Sequence, residues 1–190
     1  MNAILPTPAL QRVRTLYASL AADIATLADR PPSDHRLAGE AAAFLAYEAR
    51  LLDGRAFPAW LDLWEEDALF YVPLDAGADP ANDQALFLDD HRRLRERIWR
   101  MGDASAWALQ PPAVTVRLVG TVEAWPDGAA DELTVSSAIL IQHTRLQAHF
   151  ATAGRQIHRL RRSADGLRLV RKILLLPQHA TGTPHLGWLL

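Results

Sequence analysis

The period of the apolar residues changes once along this chain, and that change limits the folds open to it. As far as Met101 the apolar residues recur every three or four positions. After Pro111 and Pro112 they alternate, Val114, Val116, Leu118 and Val122 against Thr115, Arg117, Thr121 and Glu123. The first spacing builds amphipathic helices and the second half-buried strands. Helices followed by a run of strands make an α+β domain, its helices gathered on one face of a single sheet.

Four helical segments are expected. Leu10 to Asp29 carries Leu10, Val13, Tyr17, Leu20, Ile24 and Leu27 as a narrow heptad-type seam, and "RPPSD" at Arg30 to Asp34 ends it. Residues 1–34 therefore read as a helical arm with a proline-rich linker, packed on its own domain or on another subunit, and 35–190 as the main domain. A second helix, Arg36 to Asp53, stops at Gly54. A third, Phe57 to Glu66, buries Trp60, Leu61 and Trp64, and "ALFYVP" follows as a short strand. After a loop at Leu74 to Gln84, Phe87, His91, Leu94, Ile98 and Met101 mark a fourth helix.

Four antiparallel strands are expected after the proline pair: one closed by "PDGAAD", a long one from Glu132 to about Phe150, one from Arg155 to Arg162 after "ATAG", and one from Leu167 to Leu176 after "SADG". A long twisted sheet of this kind curls around what covers it. "AILI" at Ala138 to Ile141 and "ILLL" at Ile173 to Leu176 are apolar at every position, so both faces are covered there. The helices supply one cover and a second subunit is expected to supply the other.

Composition excludes several classes of function. With 190 residues a chain can bury roughly 70 % of its unfolded surface without staples. It has no cysteine, so it holds no disulfide, zinc ribbon, catalytic thiol or iron–sulfur cluster. The net charge of -2 gives no reason to seek nucleic acid. No apolar run reaches the ~18 residues of a membrane span, and without a leader-like start a cytoplasmic location is the default expectation. The one charge asymmetry lies between Gly154 and Lys172, seven cations against Asp165 alone. That stretch is a solvated basic face, a surface for an acidic partner or, last in order because it has no aromatic ring on which a base could stack, a nucleic-acid contact.

Chemistry would have to come from a few polar residues on apolar faces. Glu48 falls inside the stripe of the second helix, where a buried carboxylate needs a donor. It is either a hydrogen-bonded structural residue or a pocket acid. "LDDHRRLRERIWRM", Leu88 to Met101, sets Asp89, Asp90 and His91 before five arginines. Successive helical residues point about 100° apart, so Asp90 cannot readily orient His91, whereas both aspartates suit a helix N-terminus. His91 at the edge of its stripe, and His158 on a strand face with Leu160, are read as core histidines. No histidine pair has metal-ligand spacing on a helix, and His143 and His149, six apart on one expected strand, lie ~20 Å apart.

Several segments resemble a known family. "YEARLLDGRAFPAWLDLWEEDALFYVP" from Tyr47, "LDDHRRLRERIWRM", "AWALQPPAVTVRLVGTVEAW" from Ala106, "ELTVSSAILIQHTR" and "GRQIHRLRRSADGLRLVRKILLLPQ" are similar, in order and spacing, to the small, or beta, subunits of bacterial aromatic-ring-hydroxylating dioxygenases of the Rieske non-haem iron type. The likeness runs from Glu40 to Leu190. It implies an NTF2-like cone, three or four helices packed on a long curved antiparallel sheet. It also implies a non-catalytic structural subunit that assembles with a large (alpha) oxygenase subunit, as a trimer within a three-plus-three hexamer in aromatic catabolism. The Rieske cluster and mononuclear iron then belong to the large subunit, with no cofactor, metal or catalytic residue in this chain. The competing reading is a stand-alone isomerase or dehydratase of the same fold, with Tyr47, Glu48, Asp89, His91 and His158 around a pocket. A ligand-binding scaffold is the third.

Overall fold

The computed structural model describes residues 8–75, 77–103, 110–127 and 131–177. Its elements are helix α1 (Pro8–Ala25), a single 3-10 turn (Leu27–Asp29), helices α2 (His35–Asp53) and α3 (Phe57–Leu61), strands β1 (Trp64–Pro73) and β2 (Ala85–Asp90), helix α4 (His91–Gly102), and strands β3 (Val114–Pro126), β4 (Glu132–Arg145), β5 (Ala148–Ser163) and β6 (Gly166–Leu175). The strands form one sheet in the order β2-β1-β6-β5-β4-β3. Neighbours run antiparallel except β1 and β6, which are parallel.

The α+β class is as expected, while four local assignments differ for physical reasons. The third helix ends at Leu61, and Trp64 opens β1, where it stacks edge-on against Trp60 at 5.2 Å. Phe87 belongs to β2, and the fourth helix starts only at His91. The expected long second strand turns at Leu146 and Gln147, Leu146 taking φ 55 without a glycine or asparagine to announce it. "ATAG" is therefore strand interior. Gly154 is there for space, because a Cβ on it would lie 2.7 Å from the Leu175 carbonyl oxygen and 2.9 Å from Leu174 Cδ1.

The inner face of the sheet carries the main core, with Phe44, Leu45 and Leu52 of α2, Trp60 of α3 and Leu94 of α4 against Phe70, Val135, Ile141, Leu160 and Leu174. Asp34 caps α2 through Arg36 N and Leu37 N. At its other end Asp53 accepts from Thr115 Oγ1 at 3.0 Å, Arg117 N at 2.9 Å and Arg117 Nη1 at 2.5 Å, tying the helix to edge strand β3.

On the outer face α1 lies against its own chain. Leu20 is fully buried with Leu69, Tyr71, Ile157 and Ile173, and Leu16, Tyr17 and Ile24 pack around them. Asp23, also buried, pairs with Arg159 at 2.8 Å and with Arg171. The linker is held too: Trp125 Nε1 donates to the Pro31 carbonyl at 2.7 Å, and the Arg30 guanidinium stands 5.3 Å over the Trp125 ring. At "ILLL" the second cover is supplied by α1, which lies over β1, β5 and β6, whereas at "AILI" on β4 Leu140 is left 39% exposed. No helix among the described residues is long and apolar enough to cross a membrane.

The Gly154 contact generates a test. Gly154→Ala should push β5 from β6 and cost about 1–3 kcal/mol, read as a lower urea midpoint at unchanged slope. An unchanged midpoint would refute the close approach.

Candidate functional site

Strand register sets four residues side by side on the inner face. Asp89 of β2 pairs with Phe70 of β1, Phe70 with Lys172 of β6, and Lys172 with His158 of β5. At about 4.8 Å per strand, Asp89 lies about 14 Å from His158, with Phe70 and Lys172 between them. Helix α2 brings Glu48 down onto this row.

Glu48 Oε1 accepts from Lys172 Nζ at 2.8 Å and from Trp60 Nε1 at 3.1 Å. His158 Nε2 stands 3.8 Å from Glu48 Oε2, and neither ring nitrogen of His158 has a hydrogen-bond partner. Lys172 Nζ also lies 5.9 Å from the Phe70 ring. Exposure is 3% for Glu48, 1% for Lys172 and 0% for His158.

Burial pushes the Glu48 carboxyl up, but the charge of Lys172 beside it, with the Lys172 and Trp60 hydrogen bonds, outweighs this and holds it below the usual carboxylate range. Burial lowers Lys172, opposed by Glu48. Burial likewise takes His158 from 6.5 down to about 3, so its imidazole is neutral and its approach to Glu48 is no ion pair. A general base must be reachable by the proton it removes. Glu48 is a carboxylate already committed to a cation, enclosed by tryptophan and phenylalanine. Its hydrogen bonds to Lys172 and Trp60 are the donors that the structural reading of Glu48 calls for.

The other candidates lie elsewhere. Asp89, 2% exposed, accepts from Arg97 Nε and Nη2, both at 2.7 Å, while the Arg97 guanidinium lies 4.2 Å over Phe87. Asp90 is the N-cap of α4, accepting from Arg93 N at 2.8 Å. By sequence both aspartates suit the helix N-terminus, with either able to be the cap. Only Asp90 caps, because β2 runs through Asp90 and its alternation turns Asp89 inward. His91 Nδ1 is 3.3 Å from Arg95 Nη2 and 3.9 Å from Glu66. Tyr47 is 40% exposed beneath Arg50. The structure thus joins Glu48 with His158 and separates both from Asp89, His91 and Tyr47.

His143 and His149 prove to lie on neighbouring strands, not ~20 Å apart on one. They face opposite ways: His143 stacks on Phe150 at 5.2 Å, and His149 Nδ1 meets Thr144 Oγ1 at 3.0 Å. Among the described residues no three His, Cys, Asp or Glu side chains gather as a metal site. His179 and His185 lie outside the described residues.

Six of the seven cations of the basic hairpin meet carboxylates, and the seventh, Arg155, donates to Ser136 Oγ at 3.4 Å. Arg159 meets Asp23 and Asp127, Arg161 meets Glu132 and Asp67, and Arg162 meets Glu40. Arg168 reaches Glu65, Arg171 Asp23 and Lys172 Glu48. These carboxylates come from distant elements, so sequence reading missed them. One signal was available: a lysine inside "LVRKILLL", a run buried on both faces, calls for a buried acid. A group of exposed apolar side chains lies on another part of the sheet, Val114, Val116 and Leu118 of edge strand β3 at 69%, 55% and 62%, beside Leu140 of β4 at 39%.

Comparison with known proteins gives a consistent result. A family model described as "Ring hydroxylating beta subunit" matches residues 47–181. The beta subunit of N,N-dimethyl phenylurea N-demethylase from Sphingobium sp. (strain YBL2) is 32% identical over 151 residues, 76% of this chain and 86% of the relative. The small oxygenase component of the p-cumate 2,3-dioxygenase system from Pseudomonas putida is 35% identical over 144 residues, 74% and 79% of the two chains. A chain of naphthalene 1,2-dioxygenase superposes with a TM-score of 0.74 at 23% identity, covering 83% of this chain and 87% of the other. The architecture is NTF2-like, as expected.

The buried imidazole sets a pH dependence. Unfolded, His158 takes a proton near 6.5, and folded only near 3. Between these values the unfolded chain binds the extra proton, so stability falls as pH drops, by about 1.4 kcal/mol per unit. His158→Leu should remove that slope from urea-midpoint series at pH 4–7 and match or exceed wild type at pH 7.5, since no hydrogen bond is lost. Parallel acid limbs in the two proteins would refute it.

Proposed function

This chain belongs to the ring-hydroxylating beta subunits, and from that premise we propose that it is the non-catalytic, structural subunit of a Rieske-type oxygenase. Its partner is a large, iron-bearing alpha subunit, and the assembly is a hexamer of three large and three small chains with a trimer of this chain inside it. The observation that carries the reading is the state of the inner face. Its acid, Glu48, is spent on Lys172 and Trp60 inside the core, and the imidazole beside it is neutral and enclosed. Among the described residues of the inner face, neither Glu48 nor His158 is open to a substrate.

Two further facts support it. The chain has no cysteine, so the thiolate ligands of a Rieske cluster must come from the partner, where cluster and mononuclear iron then lie together. The two curated relatives are named for different reactions, N-demethylation of a phenylurea and dioxygenation of p-cumate, yet are similar to this chain over about the same three quarters of its length. A subunit that serves either chemistry with one scaffold does not choose the substrate.

The partner surface is the apolar strip on β3 and β4. It gathers four exposed apolar side chains on one face and is flanked by polar residues such as Gln142 and Thr144. Co-expression with the large subunit tests this. Val116→Asp with Leu118→Asp should abolish the hexamer in size-exclusion chromatography while the circular dichroism of this chain is retained. An intact hexamer would sink the assignment of that surface. In the intact assembly His91→Ala should leave turnover within a few fold, because a subunit without transition-state contact has none to lose. A fall of several orders of magnitude with the hexamer preserved would overturn the non-catalytic role.

A further inference from the structure

A groove of about 590 Å³ lies between the second half of α2 and edge strand β3, lined by Ala46, Ala49, Arg50 and Asp53 on the helix side and by Leu118 and Val119 on the strand side. It exists because the helix offers alanine methyl groups there, at two positions three apart and so on one face. Ala46 is exposed, so a longer side chain at that position would occupy the groove. Leu118 belongs both to this groove and to the exposed strip on the outer face of the sheet. The two apolar surfaces therefore meet over the edge of β3.

Two features decide what can enter. β3 is the last strand of the sheet, and the backbone N–H of Arg117 on its open edge is already held by Asp53 at 2.9 Å. A strand laid along that edge finds this donor taken and the Asp53 carboxylate in its way, which is how a sheet edge is closed to strand addition. Entry is left to side chains. Asp53 and Arg117 also neutralise each other. Arg50, by contrast, is exposed, stands 5.2 Å over the Tyr47 ring and meets no carboxylate among the described residues. The lining thus combines apolar walls with one cation that lacks a counter-charge.

We propose that the contact with the large subunit turns over the edge of β3 into this groove, seating one large-subunit apolar side chain between Ala46 and Leu118 and a neighbouring carboxylate on Arg50. This deepens, and rests on, the assignment of the β3 and β4 strip to that subunit: a chain that covers Leu118 on the outer face already stands at the mouth of the groove. A flat strip gives contact area. A side chain set into a recess, with a charge pair at its rim, gives register and choice of partner. Arg50, held over an aromatic ring, has less freedom to lose on binding than a cation extended into water.

Dilution of the co-expressed hexamer, followed by size-exclusion chromatography, tests this. Ala46→Trp fills the groove from an exposed helical position, and Arg50→Glu reverses its cation. Each should raise the concentration at which the large subunit is released about tenfold or more, with the circular dichroism of this chain retained. An effect of Ala46→Trp alone would strike out the carboxylate on Arg50. An assembly that withstands the wild-type dilution in both variants would overturn the groove as a contact. If Val116→Asp with Leu118→Asp still breaks that assembly, the strip keeps its role and the groove alone fails; if neither change breaks it, both assignments fail. Release of the small chains from one another, each with its large subunit still bound, would put a second copy of this chain in the groove and overturn the assignment to the large subunit.

Discussion

The buried pair of Glu48 and Lys172 is the contact on which the rest of this fold is aligned. Taking two charges out of water costs several kcal/mol per ion, and an unmatched partner would cost about 3–5 kcal/mol, so the pair adds little net stability. It does fix where α2 sits. A slip of one helical turn, about 5.4 Å, would take Glu48 off both Lys172 and Trp60. With Glu48 placed, the other acids of the helix fall on cations too. Glu40 reaches Arg162 of β5 and Asp53 reaches Arg117 of β3, so one helix is pinned at three points across the sheet.

The same strand pair sets the opposite face by simple alternation. Lys172 and His158 are cross-strand partners and point inward, so their neighbours Arg171 and Arg159 are partners pointing outward. Two like charges directly opposite each other repel. Asp23 of α1 lies between them and turns the repulsion into a docking point for the helix. A single register thus positions α2 on one face and α1 on the other. The polar atoms it leaves unmatched, His158 inside and Arg171 Nε outside, follow from the same geometry.

Much of this was readable from spacing. The change of period at Pro111 marks the passage from helices to strands, Asp89 and Asp90 announce a helix N-terminus by their place before a periodic segment, and Trp60 and Trp64 are core by their neighbours. The fold class and the family likeness rest on such local patterns. Pairing between distant elements is different in kind. Nothing near Lys172 names Glu48, and nothing near Arg159 names Asp23, so a hairpin whose cations are matched internally reads as a basic surface. The turn at Leu146 escaped because its left-handed residue is a leucine, and Gly154 misled because a glycine that makes room in a strand resembles one that makes a turn.

How the chain distributes its charge bears on what it is for. An enzyme keeps some ionisable groups strained, poised and open to a substrate. On the inner face this chain does the reverse, closing its acid against a cation under aromatic cover. It leaves bare an edge strand with Val114, Val116 and Leu118 on its outer side. Such an edge invites association in any protein that exposes it. The apolar surface left bare is one that another chain can cover, while on the inner face Glu48 is already taken by Lys172 and Trp60. A closed interior and a bare apolar edge are what the proposed supporting role requires.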